Sequence, residues 1–184
     1  HFRYQLAERL KAETDKLTGA LNRHSFEKRL SHLLGQLKPG TTLCVGLLDI
    51  DYFKKYNDHY GHLKGDACLV AVSKALQELP LDLLVRFGGE EFIVVKMVHG
   101  DTPSWLLNLN QCIHALQVPH SASPLQWVSA SVGLCQYRHQ ADRSSPLSQQ
   151  LLGAADKLLY EAKEGGRNRV CSALLANPAT AAVQ

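Results

Sequence analysis

Apolar residues along the chain follow two rhythms, and the points where one gives way to the other divide it into elements. Phe2 to Thr14 is helix-forming and charged around most of its circumference, with Leu6 and Leu10 one turn apart, which predicts a helix arriving from a preceding segment. Asp15 leads into a Thr18-Gly19 turn, and Asn22 is placed to cap a second helix running to about Leu34 before a loop over 35–40. Thr41 to Ile50 is β-branched and apolar almost throughout, the pattern of a strand buried on both faces. A short helical piece follows, then Gly61, then a helix over about Leu63 to Leu79 with Leu69, Val72 and Leu76 on one face. Leu83–Phe87 and Phe92–Val98 read as the arms of a β-hairpin, with Gly88 and Gly89 expected to supply positive φ angles at its tip.

Beyond the hairpin, 104–116 reads as an amphipathic helix and 117–125 as a Pro/Ser loop. A strand over Trp127–Tyr137, interrupted by Gly133, is followed by a polar loop over 138–146. A helix over about Leu147–Lys163 is stopped by Gly165-Gly166, and a short last strand is expected near Arg169. The Ala-rich end, 174–184, is expected to fray. Strands and helices mixed irregularly, with at least one hairpin, predict an α+β domain with helices packed on a sheet.

The composition narrows the function classes. The 184 residues suffice for one domain with its own core. A formal charge of +3, and no basic stripe with interleaved aromatics, argue against nucleic acid or a membrane surface as a partner, so any anion site must be local. Five cysteines at wide, irregular spacing form no C-x-x-C pair, which suggests neither a disulfide framework nor zinc and makes a reducing cytoplasm the expected compartment. No apolar stretch approaches the ~18 residues of a membrane span, although a parent protein could be anchored elsewhere. The chain starts at His1 rather than Met, so a longer parent is expected.

Candidate chemistry lies where buried strands end. Asp49 and Asp51 close one strand, and Glu90 and Glu91 occupy the hairpin tip. Either cluster alone reads equally well as loop-solubilising charge. If the two strands are neighbours, three or four carboxylates converge, and such a set repels itself unless hard cations such as Mg²⁺ or Mn²⁺ neutralise it. Between the clusters lies a polar run, Lys54 to Asp66, in which Asp66 could accept from guanine N–H groups and Asn57 could donate or accept. His59 and His62 lack further ligands at zinc spacing. Lys163 and Arg167 stand four residues apart across the Gly-Gly break, equally readable as phosphate ligands or as charges favouring a helix C-terminus.

Taken in order, five segments resemble the diguanylate cyclase, or GGDEF-domain, family. Asp15-Lys16-Leu17-Thr18-Gly19-Ala20-Leu21-Asn22-Arg23 is similar to D-x-L-T-G-L-x-N-R, and Asp49 to Asp66 matches D-x-D-x-F-K-x-x-N-D-x-x-G-H-x-x-G-D at every fixed position. Arg86-Phe87-Gly88-Gly89-Glu90-Glu91-Phe92 resembles the signature in its GGEEF variant. Ser129-Ala130-Ser131-Val132-Gly133, and Ala155 to Lys163 with Gly166-Arg167-Asn168, resemble the two later motifs. The resemblance covers about Asp15 to Val170.

It implies a central, mainly antiparallel five-stranded sheet flanked by helices, palm-like as in nucleotidyl cyclases and polymerases. It divides the chain into an incoming signalling or linker helix over 1–14, a cyclase domain over 15–173 and a tail over 174–184. The implied reaction condenses two GTP into cyclic di-GMP and two pyrophosphates across a homodimer, with two Mg²⁺ or Mn²⁺ ions per site and an upstream sensor or regulatory domain. Asp49, the Ile50 carbonyl, Glu90 and Glu91 would hold the metals. Glu90 and Lys54 would act on the reacting atoms. Phe53, Lys54, Asn57, His62, Asp66, Gly88, Gly89, Lys163 and Arg167 would bind substrate. One segment departs from the family: its R-x-x-D inhibitory product site reads Leu79-Pro80-Leu81-Asp82 here, so only Asp82 remains. The competing expectations are a catalytically silent module that binds GTP or cyclic di-GMP, and a module that only dimerises.

Overall fold

In a computed structural model, which describes residues 1–141 and 144–175, the strand over Thr41–Ile50 is the axis of the molecule. Every residue of this strand is buried, as its unbroken apolar composition predicts. In chain order the elements are α1 (Phe2–Glu13), β1 (Leu21–Asn22), α2 (Phe26–Gln36), β2 (Thr41–Ile50), α3 (Phe53–Tyr60) and α4 (His62–Gln77). They continue with β3 (Leu83–Arg86), β4 (Glu91–His99), α5 (Ser104–Leu107), α6 (Asn110–His114), β5 (Ala130–Arg138), α7 (Ser148–Glu164) and β6 (Arg169–Leu174).

The sheet has six strands in the order β1-β3-β4-β2-β5-β6. Its core, β3-β4-β2-β5, is antiparallel, while the outer pairs β1/β3 and β5/β6 are parallel. The strand beyond the expected five is β1, whose two residues are too few to show a period-2 pattern.

Alternation along the strands sends side chains to the two faces of the sheet. Leu48 and Ile50 of β2, Phe92 and Val94 of β4, and Ala130 and Val132 of β5 pack with Phe53 and Tyr56 of α3, Leu69, Val72 and Leu76 of α4, and Ile113 of α6. The intervening residues, among them Val45, Leu47, Ile93, Val95 and Cys135, pack against Phe26 and Leu30 of α2 and Leu151, Ala155 and Leu159 of α7. Gly133 permits this second layer. A Cβ there would stand 2.0 Å from the Ala155 carbonyl oxygen and 2.3 Å from the Leu159 nitrogen, so α7 lies directly on β5.

Several local expectations are corrected. Asn22 does cap, accepting from the Ser25 N–H at 3.1 Å, but it starts a 3-10 turn over Arg23–Ser25, and α2 begins only at Phe26. The helix expected over 104–116 is two short ones, α5 and α6, broken at Asn108-Leu109. Trp127 lies outside β5, in an isolated bridge to Pro119. Gly88 and Gly89 are not among the positive-φ residues, so the hairpin tip closes without the left-handed glycine turn expected of it. Leu174, expected in the tail, ends β6, while 176–184 and positions 142–143 of the 138–146 loop lie outside the described residues.

Candidate active site at the end of the central strands

Because β2 and β4 run antiparallel, the C-terminal end of one meets the N-terminal start of the other. The register places Asp49 opposite Glu91 and, across the other edge of β2, opposite Ser131. The Ile50 N–H donates to the Glu90 carbonyl at 3.2 Å, tying the hairpin tip to the end of β2. Asp49, Glu90 and Glu91 are thus brought together from two separate turns.

The electrostatics of this set are unbalanced. Burial pushes the Asp49 carboxyl above its ordinary range, Lys163 pulls it back, and Glu90 and Asp51 raise it further, for a net upward shift. Glu91 is also raised, first by burial and then by Asp49 and Glu90. Lys163 of α7 offsets part of this charge, its Nζ donating to Asp49 Oδ2 at 2.6 Å. Among the described residues no three His, Cys, Asp or Glu side chains form a ready-made cage. A Mg²⁺ ion nevertheless suits this donor set. It takes one or two carboxylates and draws its remaining oxygens from water and phosphate, and the excess negative charge is of the kind it neutralises.

Beside the carboxylates a cavity of about 440 Å³ is lined by Phe53, Lys54, Asn57, Asp66, Leu69, Arg86, Gly89 and Glu90. The Asn57 Oδ1 is buried against Gly65 of α4 and has no hydrogen-bond partner among the described residues. It lies so close to Gly65 that a Cβ on that residue would come within 1.7 Å of it, which explains the glycine. Leu69 and Arg86 line the cavity but were not singled out from sequence. Leu69 reads as an ordinary core residue, although its place three residues after Asp66 on α4 puts both on one helix face. A larger cavity, of about 640 Å³, is lined by Thr42, Gly100, Thr102 and Gln136 among others and gathers none of these groups.

The remaining expected residues are dispersed. His62 and Gly88 are not among the cavity's lining residues. Lys163 reaches the carboxylates, while the Arg167 guanidinium lies 4.7 Å over the Tyr52 ring, so the two basic residues serve different targets. Asp82, all that remains of the inhibitory site, accepts from the Met97 N–H at 2.6 Å and has Lys96 at 4.0 Å.

Two structural links were invisible in the sequence. Arg86 donates to the Gly89 carbonyl at 3.0 and 3.2 Å and reaches Asp15 at 3.3 Å, joining the turn after α1 to the hairpin tip. Burial alone would raise the Asp15 carboxyl, but hydrogen bonds from Thr18 and the Arg86 charge carry it below its ordinary value. Asp51, grouped with Asp49 from sequence, is 2% exposed and fully engaged: it accepts from Ser129 Oγ at 2.7 Å, Ser131 Oγ at 2.6 Å and the Asn168 N–H at 3.1 Å.

Comparisons with known proteins agree with this picture. The family described as "Diguanylate cyclase, GGDEF domain" matches residues 12–169. The chain is 33% identical over 168 residues to diguanylate cyclase DgcP of Pseudomonas aeruginosa, covering 89% of this chain and 24% of that protein. It is 36% identical over 163 residues to diguanylate cyclase VdcA of Vibrio cholerae, covering 85% of this chain and 45% of that protein. The chain therefore spans less than half the length of either relative. Among solved structures, the coiled coil and GGDEF domain of DgcB from Caulobacter crescentus, determined in complex with c-di-GMP, superposes with a TM-score of 0.73 at 27% identity, covering 94% of this chain and 92% of that one. With its family pattern matched over most of its length and its α+β sheet shared with a solved member, this chain belongs to the diguanylate cyclase GGDEF-domain family.

Proposed function

We propose that the domain is an active diguanylate cyclase in which each copy holds one GTP, and that two copies facing each other across a two-fold axis join their nucleotides into cyclic di-GMP. The observation that carries this reading is the convergence of Asp49, Glu90 and Glu91 beside a cavity offering Lys54, Asn57 and Asp66. Asn57 and Asp66, which both line the cavity, are the guanine readers: the carboxylate accepts from the base N–H groups, and the Asn57 amide completes the pairing. Lys54, from the first turn of α3, Lys163, from the last turn of α7, and Arg167, in the turn beyond it, take the triphosphate charge, with the Phe53 backbone beside them. Gly89, exposed and, among the described residues, with no atom within 4 Å of where a Cβ would stand, leaves room for close approach of the nucleotide, while Gly88 lies against the Glu91 side chain.

In the reaction the 3′-oxygen of one GTP forms a bond to the α-phosphorus of the other, the bond to the pyrophosphate oxygen breaks, and Glu90 accepts the 3′-hydroxyl proton. Each of the two closures releases one pyrophosphate. Bound divalent ions, held by Asp49, the Ile50 carbonyl, Glu90 and Glu91, would supply charge neutralisation on the attacking and leaving oxygens. Everything else is positioning by the chain's own residues. On α1, Phe2, Leu6 and Leu10 are exposed, an apolar stripe that fits a helix continuing from an upstream regulatory segment and pairing with its counterpart in a second copy.

The test is incubation with GTP and Mg²⁺, with chromatography for cyclic di-GMP and pyrophosphate. Turnover, restored or raised when two copies are joined through a fused coiled coil, is the expected result. GTP binding with no product even after forced pairing would overturn the reading in favour of a silent nucleotide-binding module.

A further inference from the structure

Tyr52 stands between the two halves of the phosphate-binding apparatus in an unusual conformation. It is the N-cap of α3, with φ of 54°, a left-handed value uncommon for a residue with a side chain. Its carbonyl accepts the first bond of α3, from the Tyr56 N–H at 3.0 Å. The same oxygen takes a second bond at 3.0 Å from His120 Nε2, on a loop 68 residues away in sequence. Its ring carries the Arg167 guanidinium at 4.7 Å and the Lys55 ammonium at 5.2 Å.

His120 is completely buried, edge-on to the Tyr56 ring at 5.1 Å. A carbonyl can only accept, so Nε2 carries the proton of this bond. Nδ1 is buried and has no partner among the described residues. An apolar ring would fill this space without leaving a polar atom unsatisfied. What the imidazole adds is the bond to Tyr52. The other side of the assembly is fixed as well: Arg167 and Asn168 have φ of 65° and 45°, and Asn168 is held by Asp51 through its N–H and by Asn110 through its carbonyl.

We infer that His120 is a positioning residue for the nucleotide phosphates: by clamping the Tyr52 carbonyl it holds the aromatic platform that aims Arg167. This rests on the reading of Arg167 as a phosphate ligand. No role for His120 or Tyr52 follows from the family motifs, and the sequence alone reads His120 as a loop residue.

The test is a double-substitution cycle on nucleotide affinity, read by calorimetry with Mg²⁺ and 3′-deoxy-GTP, which lacks the attacking hydroxyl. His120→Phe keeps an aromatic ring and removes the donor, and is expected to weaken binding about fivefold to tenfold, the scale of one cation–π contact. His120→Gln, which can still donate, is expected to recover most of that loss. In an Arg167→Met background His120→Phe is expected to cost less than about twofold, because the group it aims is gone. An unchanged affinity in His120→Phe, or the same fold-loss with and without Arg167, would overturn the inference. Should His120→Phe not fold, Tyr52→Leu keeps the carbonyl, removes the ring, and must show the same dependence on Arg167. If the parent binds 3′-deoxy-GTP and the variants bind it equally, the positioning role alone falls; if the parent itself does not bind, the nucleotide reading of the site falls with it.

Discussion

Asp49 and Asp51 lie two residues apart at the end of the same strand, both are buried, and they behave as opposites. Asp51 has two serine hydroxyls and a backbone N–H directed at its oxygens. Asp49 has one lysine, and faces Glu91 across the strand pair with Glu90 close by. A satisfied buried carboxylate holds structure together, here β2, β5 and the turn after α7. An undercompensated one stores electrostatic cost that a cation can relieve. Burial and residue type therefore do not tell these two acids apart; the count of donors does.

The sharpest way to break the comparison is to reverse a charge on the undercompensated side. Glu91→Lys is expected to reduce cyclic di-GMP formation to background, a loss on the order of a thousandfold or more for a group stabilising transition-state charge, while circular dichroism stays that of the parent. Equal activity in the variant would remove Glu91 from the metal site.

The converse change tests Asp51. Asp51→Ala leaves Ser129, Ser131 and Asn168 without their acceptor in a dry site, and is expected to cost about 2–4 kcal/mol in urea unfolding, as two or more orphaned buried donors should. Asp49→Asn, by contrast, keeps an acceptor for Lys163 and is expected to unfold within about 1 kcal/mol of the parent while losing activity. If both variants were destabilised alike, the distinction drawn here would fail.

A smaller effect follows from pH. Asp49 and Glu91 have folded-state pKa values above their unfolded ones, so the fold binds their protons more tightly. Their contribution to stability is then most favourable below the unfolded carboxylate range and declines as pH rises through the raised folded values. Mg²⁺ should offset that decline. The gain in melting temperature on adding Mg²⁺ is expected to be larger at pH 8 than at pH 5, and the acid limb of activity should lie above the ordinary carboxylate range. A gain independent of pH would show that Mg²⁺ acts elsewhere.

The smallest effect concerns Asp82. Its carboxylate is committed to the Met97 N–H, so Asp82→Ala is expected to cost about 0.5–1.5 kcal/mol of stability and to leave cyclic di-GMP affinity unchanged in an equilibrium titration. Tight product binding lost in this variant would show that the inhibitory site survives without its arginine.

Much of the candidate site was legible in the sequence. Unbroken apolar character identified β2 as a central strand, and the acids at its end and at the hairpin tip pointed to the candidate site. Asn57 and Asp66 come from different helices, yet both line the cavity, because the turn at Gly61 folds α4 back beside α3. Less was visible where the partner is remote. The Arg86 link to Asp15 spans 71 residues, the Ser129 and Ser131 bonds to Asp51 span 78 and 80, and the His120 bond to Tyr52 spans 68. No local pattern encodes such pairs.

The sequence by itself determined where the strands and most helices form, that the sheet is mixed with helices, and which carboxylates, amides and bases are available, since period and residue chemistry are properties of short segments. Tertiary structure alone decided the register that sets Asp49 against Glu91, the sixth strand, the conformation of the hairpin tip, and which buried acid is left short of donors. Those outcomes depend on contacts between segments far apart in the chain, where hydrogen-bond geometry and packing over a few ångströms choose among pairings that the linear order leaves open.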